Sequence, residues 1–343
     1  MNDSLVSIVI PTYNQAKYLK IALDSVIKQT HSNWEAIIIN NFSEDDTIQV
    51  VESFQDSRIQ LVNYRNNGVI GASRNRGINL AKGDYVSFLD SDDFWYPDKL
   101  KESIIPLLNE YDMVCHAELF HYETGFRQPM YYGPESASSY YNLLFHGNCI
   151  STSATMVNKF ALMTVGGFSE EKDFILAEDY ELWLKLAKEG FRCCFINKLL
   201  GEYRVHELGA SKRLLKHMSA SLAVLNKHHD NIQHKTLCHK LKFRIRCSRV
   251  ITSALWGVIL DKNNKSKPII TGYVDHSSVH RYSADKSQQE DENMNRQHTF
   301  GEWYNIKRAL VCWPFNWRIY VIALVYSALI IKFFYTCSLR TKF

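Results

Sequence analysis

Four short apolar runs, each closed by turn residues and the first three followed by apolar positions at helical spacing, restrict this chain to an α/β fold. Val6-Ser7-Ile8-Val9-Ile10 stops at Pro11-Thr12-Tyr13-Asn14, after which Leu19, Ala22, Leu23, Val26 and Ile27 recur at helical intervals. Trp34 to Ile39 reads as a second strand, closed by Asn40-Asn41-Phe42-Ser43, and Asp45-Asp46 open a helix through Val50, Val51 and Phe54. Arg58 to Val62 is a third strand, and Gly68 to Ala81 is glycine-rich and then helical. Tyr85 to Leu89 is the fourth. The order β-α-β-α-β-α-β implies a mostly parallel sheet with helices on both faces.

The fourth strand ends abruptly in Asp90-Ser91-Asp92-Asp93. A buried strand ends at the rim of its sheet, where open α/β folds place ligands. Asp90 and Asp92 are two apart in turning backbone, so both can reach one point. Their oxygens are hard ligands suited to Mg2+ or Mn2+, which are held together with water and substrate phosphate. An Asp before Pro97-Asp98 could also serve as a helix cap. One Asp would suffice for that, whereas three clustered carboxylates repel one another and call for a cation.

Composition narrows the class further. The chain has 343 residues, 46% hydrophobic and 22% charged, which is ordinary for a globular protein, and a net charge of +4 gives no reason to expect a nucleic-acid partner. Met1-Asn2-Asp3-Ser4 leads straight into a strand pattern, so no signal peptide is expected. The eight cysteines form no Cys-x-x-Cys pair, and reduced thiols are the simple expectation. No Gly-x-Gly-x-x-Gly follows the first strand, which argues against a dinucleotide oxidoreductase.

Four motifs in order resemble family 2 glycosyltransferases over roughly residues 5–210. They are Ser7-Ile8-Val9-Ile10-Pro11-Thr12-Tyr13-Asn14, Gly71-Ala72-Ser73-Arg74-Asn75-Arg76-Gly77-Ile78, Ala81-Lys82-Gly83-Asp84-Tyr85 and Phe88-Leu89-Asp90-Ser91-Asp92-Asp93. The resemblance implies the GT-A fold: a Rossmann-like, mostly parallel central sheet flanked by helices, here with a helical C-terminal extension. It also implies a nucleotide-sugar half over 1–110, an acceptor half over 111–210 and an extension over 211–343. By position, Pro11, Thr12, Tyr13, Asn14 and Asn41 would lie by the base and ribose, and Arg74 and Arg76 near the nucleotide or its diphosphate. Asp90 and Ser91 would face the nucleotide-sugar, with Asp92 and Asp90 on a divalent metal, Mn2+ or Mg2+. One departure stands out. The second strand of this family usually ends Asp-Asp-Gly-Ser, its second Asp receiving a uracil N–H. Here Asn40-Asn41-Phe42-Ser43 supplies an uncharged amide, which can accept or donate. The pair reads equally well as a plain turn.

In the second half, Met113 to Ala117 and Ile150 to Val157 read as strands. Residues 122–141 read as loop, with a short helix near Tyr140 to Phe145. Val165-Gly166-Gly167-Phe168 resembles the family's Gly-Gly-Phe turn, and Glu178-Asp179-Tyr180-Glu181-Leu182-Trp183 its Glu-Asp-x-x-x-Trp helix start. Carboxylates at a helix N-terminus are favoured by the dipole alone. The family pattern makes Asp179 the general base of an inverting transfer and Glu178 a neighbour that orients the site. Tyr203-Arg204-Val205-His206 is similar to the family's Tyr-Arg-x-His segment and offers His206 to the metal or diphosphate.

Residues 212–260 read as basic helices, and 261–299 as a polar linker. The charge-free run Ile319–Ile331 is 13 residues, short of the roughly 20 needed to span a bilayer. Its Trp, Arg and Lys flanks suit a peripheral membrane contact through 310–335. The expected activity is a metal-dependent inverting transfer from a nucleotide-diphosphate sugar, a UDP-sugar by first choice, to a glycan or lipid-linked acceptor. It would serve surface polysaccharide synthesis in the cytoplasm or at the inner face of the cell membrane. The alternatives are a catalytically weak nucleotide-sugar or glycan-binding scaffold, and a nucleotidyltransferase, which the Glu178-Asp179 helix disfavours.

Overall fold

The computed structural model describes residues 4–206, 213–232 and 236–263. The proposed linker, apart from its first three residues, and the 310–335 segment lie outside them. In chain order the first half contains β1 (Val6–Thr12), α1 (Ala16–Ile27), β2 (Trp34–Asn40), α2 (Thr47–Glu52), β3 (Ile59–Asn63), α3 (Ile70–Leu80), β4 (Tyr85–Phe88), β5 (Phe94–Trp95) and α4 (Lys99–Leu107). The second contains β6 (Met113–Tyr122), β7 (Arg127–Met130), α5 (Tyr140–His146), β8 (Thr155–Asn158), α6 (Lys159–Thr164), α7 (Glu178–Lys188) and β9 (Cys193–Val205). Two helices follow, α8 (Leu214–Asp230) and α9 (Leu237–Asn263).

The strands form one nine-stranded sheet in the order β3-β2-β1-β4-β8-β6-β9-β5, with β7 paired to β6. The expected parallel sheet holds through β3-β2-β1-β4. Beyond β4 the pairing is mixed: β8 runs antiparallel to both β4 and β6, while β6 and β9 are parallel. Every residue of β1 is buried, as expected of a strand covered on both faces. Its side chains alternate between two cores: Val6, Ile8 and Ile10 pack with α1 and α4, and Val9 packs on the α3 side. Helix α3 lies very close to β1. A Cβ on Gly77 would sit 2.3 Å from Val9 Cγ1, so only glycine permits the approach.

Three consequences position the site. β1 and β4 are adjacent, whereas β2 lies on the far side of β1, so a crevice opens at the carboxyl ends of β1 and β4. The first turn of α3 abuts the loop before α7, because a Cβ on Gly71 would meet Ser169 O at 2.7 Å. Finally, the long β9 returns to the same edge, pairing β5 at Phe94↔Glu202 and carrying Arg204 and His206 to the loop after β4. Among the described residues no helix is long and apolar enough to cross a membrane, and the cysteines there are free.

Candidate active site

Arg74 organises the crevice. It projects from α3, is 3% exposed, and grips two carboxylates at once: Nη1 donates to Glu178 Oε1 and Nη2 to Asp90 Oδ1, each at 2.7 Å. Burial alone would lower the guanidinium's pKa, but Asp90 and Glu178 raise it on balance, so Arg74 stays charged. The contact joins α3 of the first half to α7 of the second across 104 residues of sequence. Arg74 is therefore occupied in holding carboxylates together rather than presenting an open face to a diphosphate. Arg76 follows two residues later on the same helix, about 200° around it, and is exposed on the face turned away from Arg74. The structure does not bring Arg76 to the site.

The carboxylates divide by environment. Asp90 and Asp92 keep side-chain exposures of 28% and 21%. Asp92 Oδ2 accepts from His206 Nε2 at 2.8 Å, and this hydrogen bond is the main reason the His206 pKa is raised. His206 also stacks on Tyr18. It is thus turned to Asp92 as a partner rather than standing as an independent metal donor. Asp93 is not a ligand candidate at all. It is buried, accepts from Ser153 Oγ at 2.6 Å and from Arg204 N at 2.9 Å, and so anchors the loop to β9. Burial first, then Asp92, Glu118 and Asp90, hold its carboxyl well above the usual range. Ser91 is buried with its hydroxyl donating to Gln15 Oε1, which fastens the same loop to the start of α1.

Among the described residues no group of three His, Cys, Asp or Glu side chains is arranged to hold a metal by itself. Asp90 Oδ2 and Asp92 Oδ1, however, have no protein partner among those residues. Two hard oxygens on a partly open turn fit Mg2+ or Mn2+, which complete their shells with water and substrate phosphate.

Asp179 lies on the closed side. It is 5% exposed in the first turn of α7; its Oδ1 accepts from Tyr180 N at 2.7 Å and its Oδ2 from Thr152 Oγ1 at 3.3 Å. Burial, then the neighbouring Glu178 carboxylate, push it up to about 7. A carboxylate so poised can take a proton near neutral pH. Glu178 turns its other oxygen to Leu176 N at 2.9 Å, fixing the left-handed bend before α7. Thr152 and Ser153 are neighbours of the candidate site that the sequence pattern places only within a strand. They lie in a turn before β8, each touching an acid distant in the chain.

At the other end of the crevice, Pro11 and Thr12 are buried at the end of β1, and Thr12 Oγ1 has no partner among the described residues. Tyr13 is 54% exposed, and Asn14 braces the neighbouring loop by accepting from Glu44 N. Asn41 N donates to Thr12 O, while Asn41 Oδ1 accepts from Asn66 N at 3.0 Å. Because the donor there is a backbone N–H, the atom facing it is the amide oxygen. The acceptor that sequence reading offered to a base is therefore used within the protein, and the amide's N–H2 end remains. Phe42 is 48% exposed and holds φ +55°, a backbone region natural to glycine.

A model described as Glycosyl transferase family 2 matches residues 7–165. The chain is 31% identical over 236 residues to the Escherichia coli UDP-Glc:alpha-D-GlcNAc-diphosphoundecaprenol beta-1,3-glucosyltransferase WfgD, covering 67% of this chain and 89% of that one. This chain belongs to glycosyl transferase family 2. It is a glycosyltransferase. Among solved structures, S. aureus TarS in complex with UDP-GlcNAc superposes with a TM-score of 0.55 at 20% identity, covering 77% of this chain and 76% of that one. The Pyrobaculum calidifontis mannosyltransferase PcManGT, in complex with GDP-Man and Mn2+, gives 0.54 at 16% identity, covering 78% and 76%. These likenesses establish the GT-A fold for this family member. Against the family's usual Asp-Asp-Gly-Ser strand end, Phe42 occupies the glycine position and keeps the glycine-type backbone, at a cost of about 1–3 kcal/mol.

Proposed function

We propose that this glycosyltransferase moves a sugar from a UDP-sugar to a lipid-linked acceptor with inversion, in a step of surface polysaccharide synthesis. The observation that carries the reading is the division of carboxylates around Arg74: an open pair, Asp90 and Asp92, and a buried acid, Asp179, poised near neutrality. Asp179 takes the proton of the acceptor hydroxyl as that oxygen bonds to the anomeric carbon. The bond from the anomeric carbon to the diphosphate breaks on the opposite face, and UDP leaves. Glu178, held by Arg74, fixes the start of α7 and so aims Asp179. A divalent metal held by Asp90 and Asp92 would neutralise charge on the departing diphosphate. His206, held by Asp92, is one residue from the described end of β9 and flanks the same oxygens.

Tyr13 and Phe42 stand exposed beyond adjoining strands, Phe42 with Arg65 over one face of its ring, and offer the base a ring face each. Asn41 Nδ2 offers a donor there, which suits a uracil carbonyl rather than its N3–H. The names of the relatives support the substrates: WfgD is named for a diphosphoundecaprenol-linked acceptor, and TarS was crystallised with UDP-GlcNAc. PcManGT, crystallised with Mn2+, supports the metal. A cytoplasmic enzyme working at the inner face of the cell membrane would bring such donors and acceptors together.

The test is a transfer assay with a panel of UDP-sugars and a GlcNAc-diphosphate-lipid acceptor, reading the anomeric configuration of the product by NMR. An inverted product supports the single displacement at Asp179. A retained configuration overturns it.

A further inference from the structure

Helix α9 carries its own two-sided pattern, unrelated to the active site. One side packs inward: His239 stacks on Phe145, Phe243 stacks on His229 at 3.8 Å, and Arg246 is buried. These positions recur at helical intervals, so residues two before or after them face away. There the helix exposes Leu237 (83%), Leu241 (58%) and Ile245 (44%), one turn apart each. Bare leucines and an isoleucine along successive turns are not the usual outer face of a helix in water.

The charges around that stripe are of one sign. From Asn231 to Leu260 the sequence contains no Asp or Glu, while α9 bears Lys240, Lys242, Arg244, Arg246 and Arg249. Lys242 is engaged with Tyr141 and Arg246 faces the domain, whereas Lys240 and Arg244 are exposed and Arg249 is half-buried. None of the ion pairs found among the described residues involves these last three. An apolar stripe bordered by uncompensated cations is the pattern of a helix lying in the plane of an anionic interface.

We propose that the outer face of α9 docks on an anionic lipid bilayer, with Leu237, Leu241 and Ile245 entering the headgroup boundary and Lys240, Arg244 and Arg249 meeting lipid phosphates. Helix α9 packs on α5 and α8, which in turn contact α7, the helix that begins with Glu178-Asp179. Docking by this face therefore brings the half of the enzyme carrying the base to the lipid surface. The surface does not depend on the assignment of Asp179. It also differs from residues 310–335, which lie outside the described residues.

The test is co-sedimentation of the full chain with vesicles of phosphatidylcholine alone or mixed with phosphatidylglycerol. Three proteins are compared: wild type, the double variant Leu241→Ser/Ile245→Ser and the triple variant Lys240→Glu/Arg244→Glu/Arg249→Glu. The wild type is expected to bind the anionic vesicles and to be released by salt. Both variants are expected to bind them about tenfold more weakly. Their transfer rates to a water-soluble acceptor are expected to match wild type, since the altered side chains lie away from the crevice, and their melting temperatures are expected to stay above the assay temperature. The proposal is overturned if wild type ignores anionic vesicles, binds neutral ones equally well, or binds no better than the variants. A change in oligomeric state at unchanged vesicle binding would also overturn it and identify the face as a contact between copies. Loss of transfer without loss of vesicle binding in an Asp179 variant would leave this proposal untouched, so the two readings fail separately.

Discussion

The open and the closed carboxylates of this site differ in what the fold asks of them. Asp90 and Asp92 sit on a turn beyond β4 with about a quarter of each side chain in solvent, where ions and phosphates can enter and leave. Glu178 and Asp179 sit in the first turn of α7, with Glu178 8% and Asp179 5% exposed. The same chemical group is thus kept exchangeable in one place and lifted toward neutrality in the other. Arg74 touches both sides, so the two environments are held at a fixed relation. Burial, more than residue type, sets these acids apart: it leaves one pair open to solvent and raises the pKa of the other acid toward neutral pH.

The largest expected effect comes from removing the buried acid proposed as the base. Asp179→Asn should lower the rate of transfer by roughly a thousandfold in a steady-state assay, within the range for loss of general-base catalysis. Activity within tenfold of wild type would move the base elsewhere. Next is the bridge. Arg74→Met leaves Asp90 and Glu178 facing each other without their shared cation, and should cost about 3 kcal/mol in urea unfolding. A loss under about 1 kcal/mol would mean that the two sides are held by other contacts. A third break is by pH. Because burial raises Asp179 to about 7, the reactive ionised form is lost below that pH. kcat/KM should rise about tenfold per pH unit up to about 7 and then level off. A profile flat from pH 5 to 8 would contradict the closed environment. The smallest effect concerns the base end: Phe42→Gly should relieve the left-handed strain yet weaken UDP binding by about tenfold, the scale of one lost stacking contact. Equal or tighter binding would remove Phe42 from the nucleotide pocket.

Much of this was legible in the chain, for physical reasons that differ between the halves. β1, β2 and β4 are apolar along most of their length because helices cover both faces, and such runs show in sequence. β5 is two residues, and β7 is the polar Arg127-Gln128-Pro129-Met130, so neither carries a run to read. Ile150 to Ala154, small and rich in hydroxyls, forms a turn rather than strand, and the turn sets Thr152 and Ser153 against Asp179 and Asp93. Asp90, Asp92, Glu178 and Asp179 stand in local motifs, so the sequence offers them as candidates, and the structure brings all four around Arg74 or next to its partners. Arg74 was also named, but its two partners are 16 and 104 residues away, and spacing along one chain does not reveal them. The same holds for Asn41, whose oxygen is taken by Asn66, 25 residues on. Arg76 was a neighbour by sequence and a stranger by helix geometry.

The division between the two carboxylate environments is tested most directly by calorimetric titration of UDP, with and without Mn2+, into wild type, Asp92→Ala and Asp179→Asn. Mn2+-dependent binding is expected for wild type, lost in Asp92→Ala and retained in Asp179→Asn. Retention in Asp92→Ala, or loss in a folded Asp179→Asn, would contradict that division.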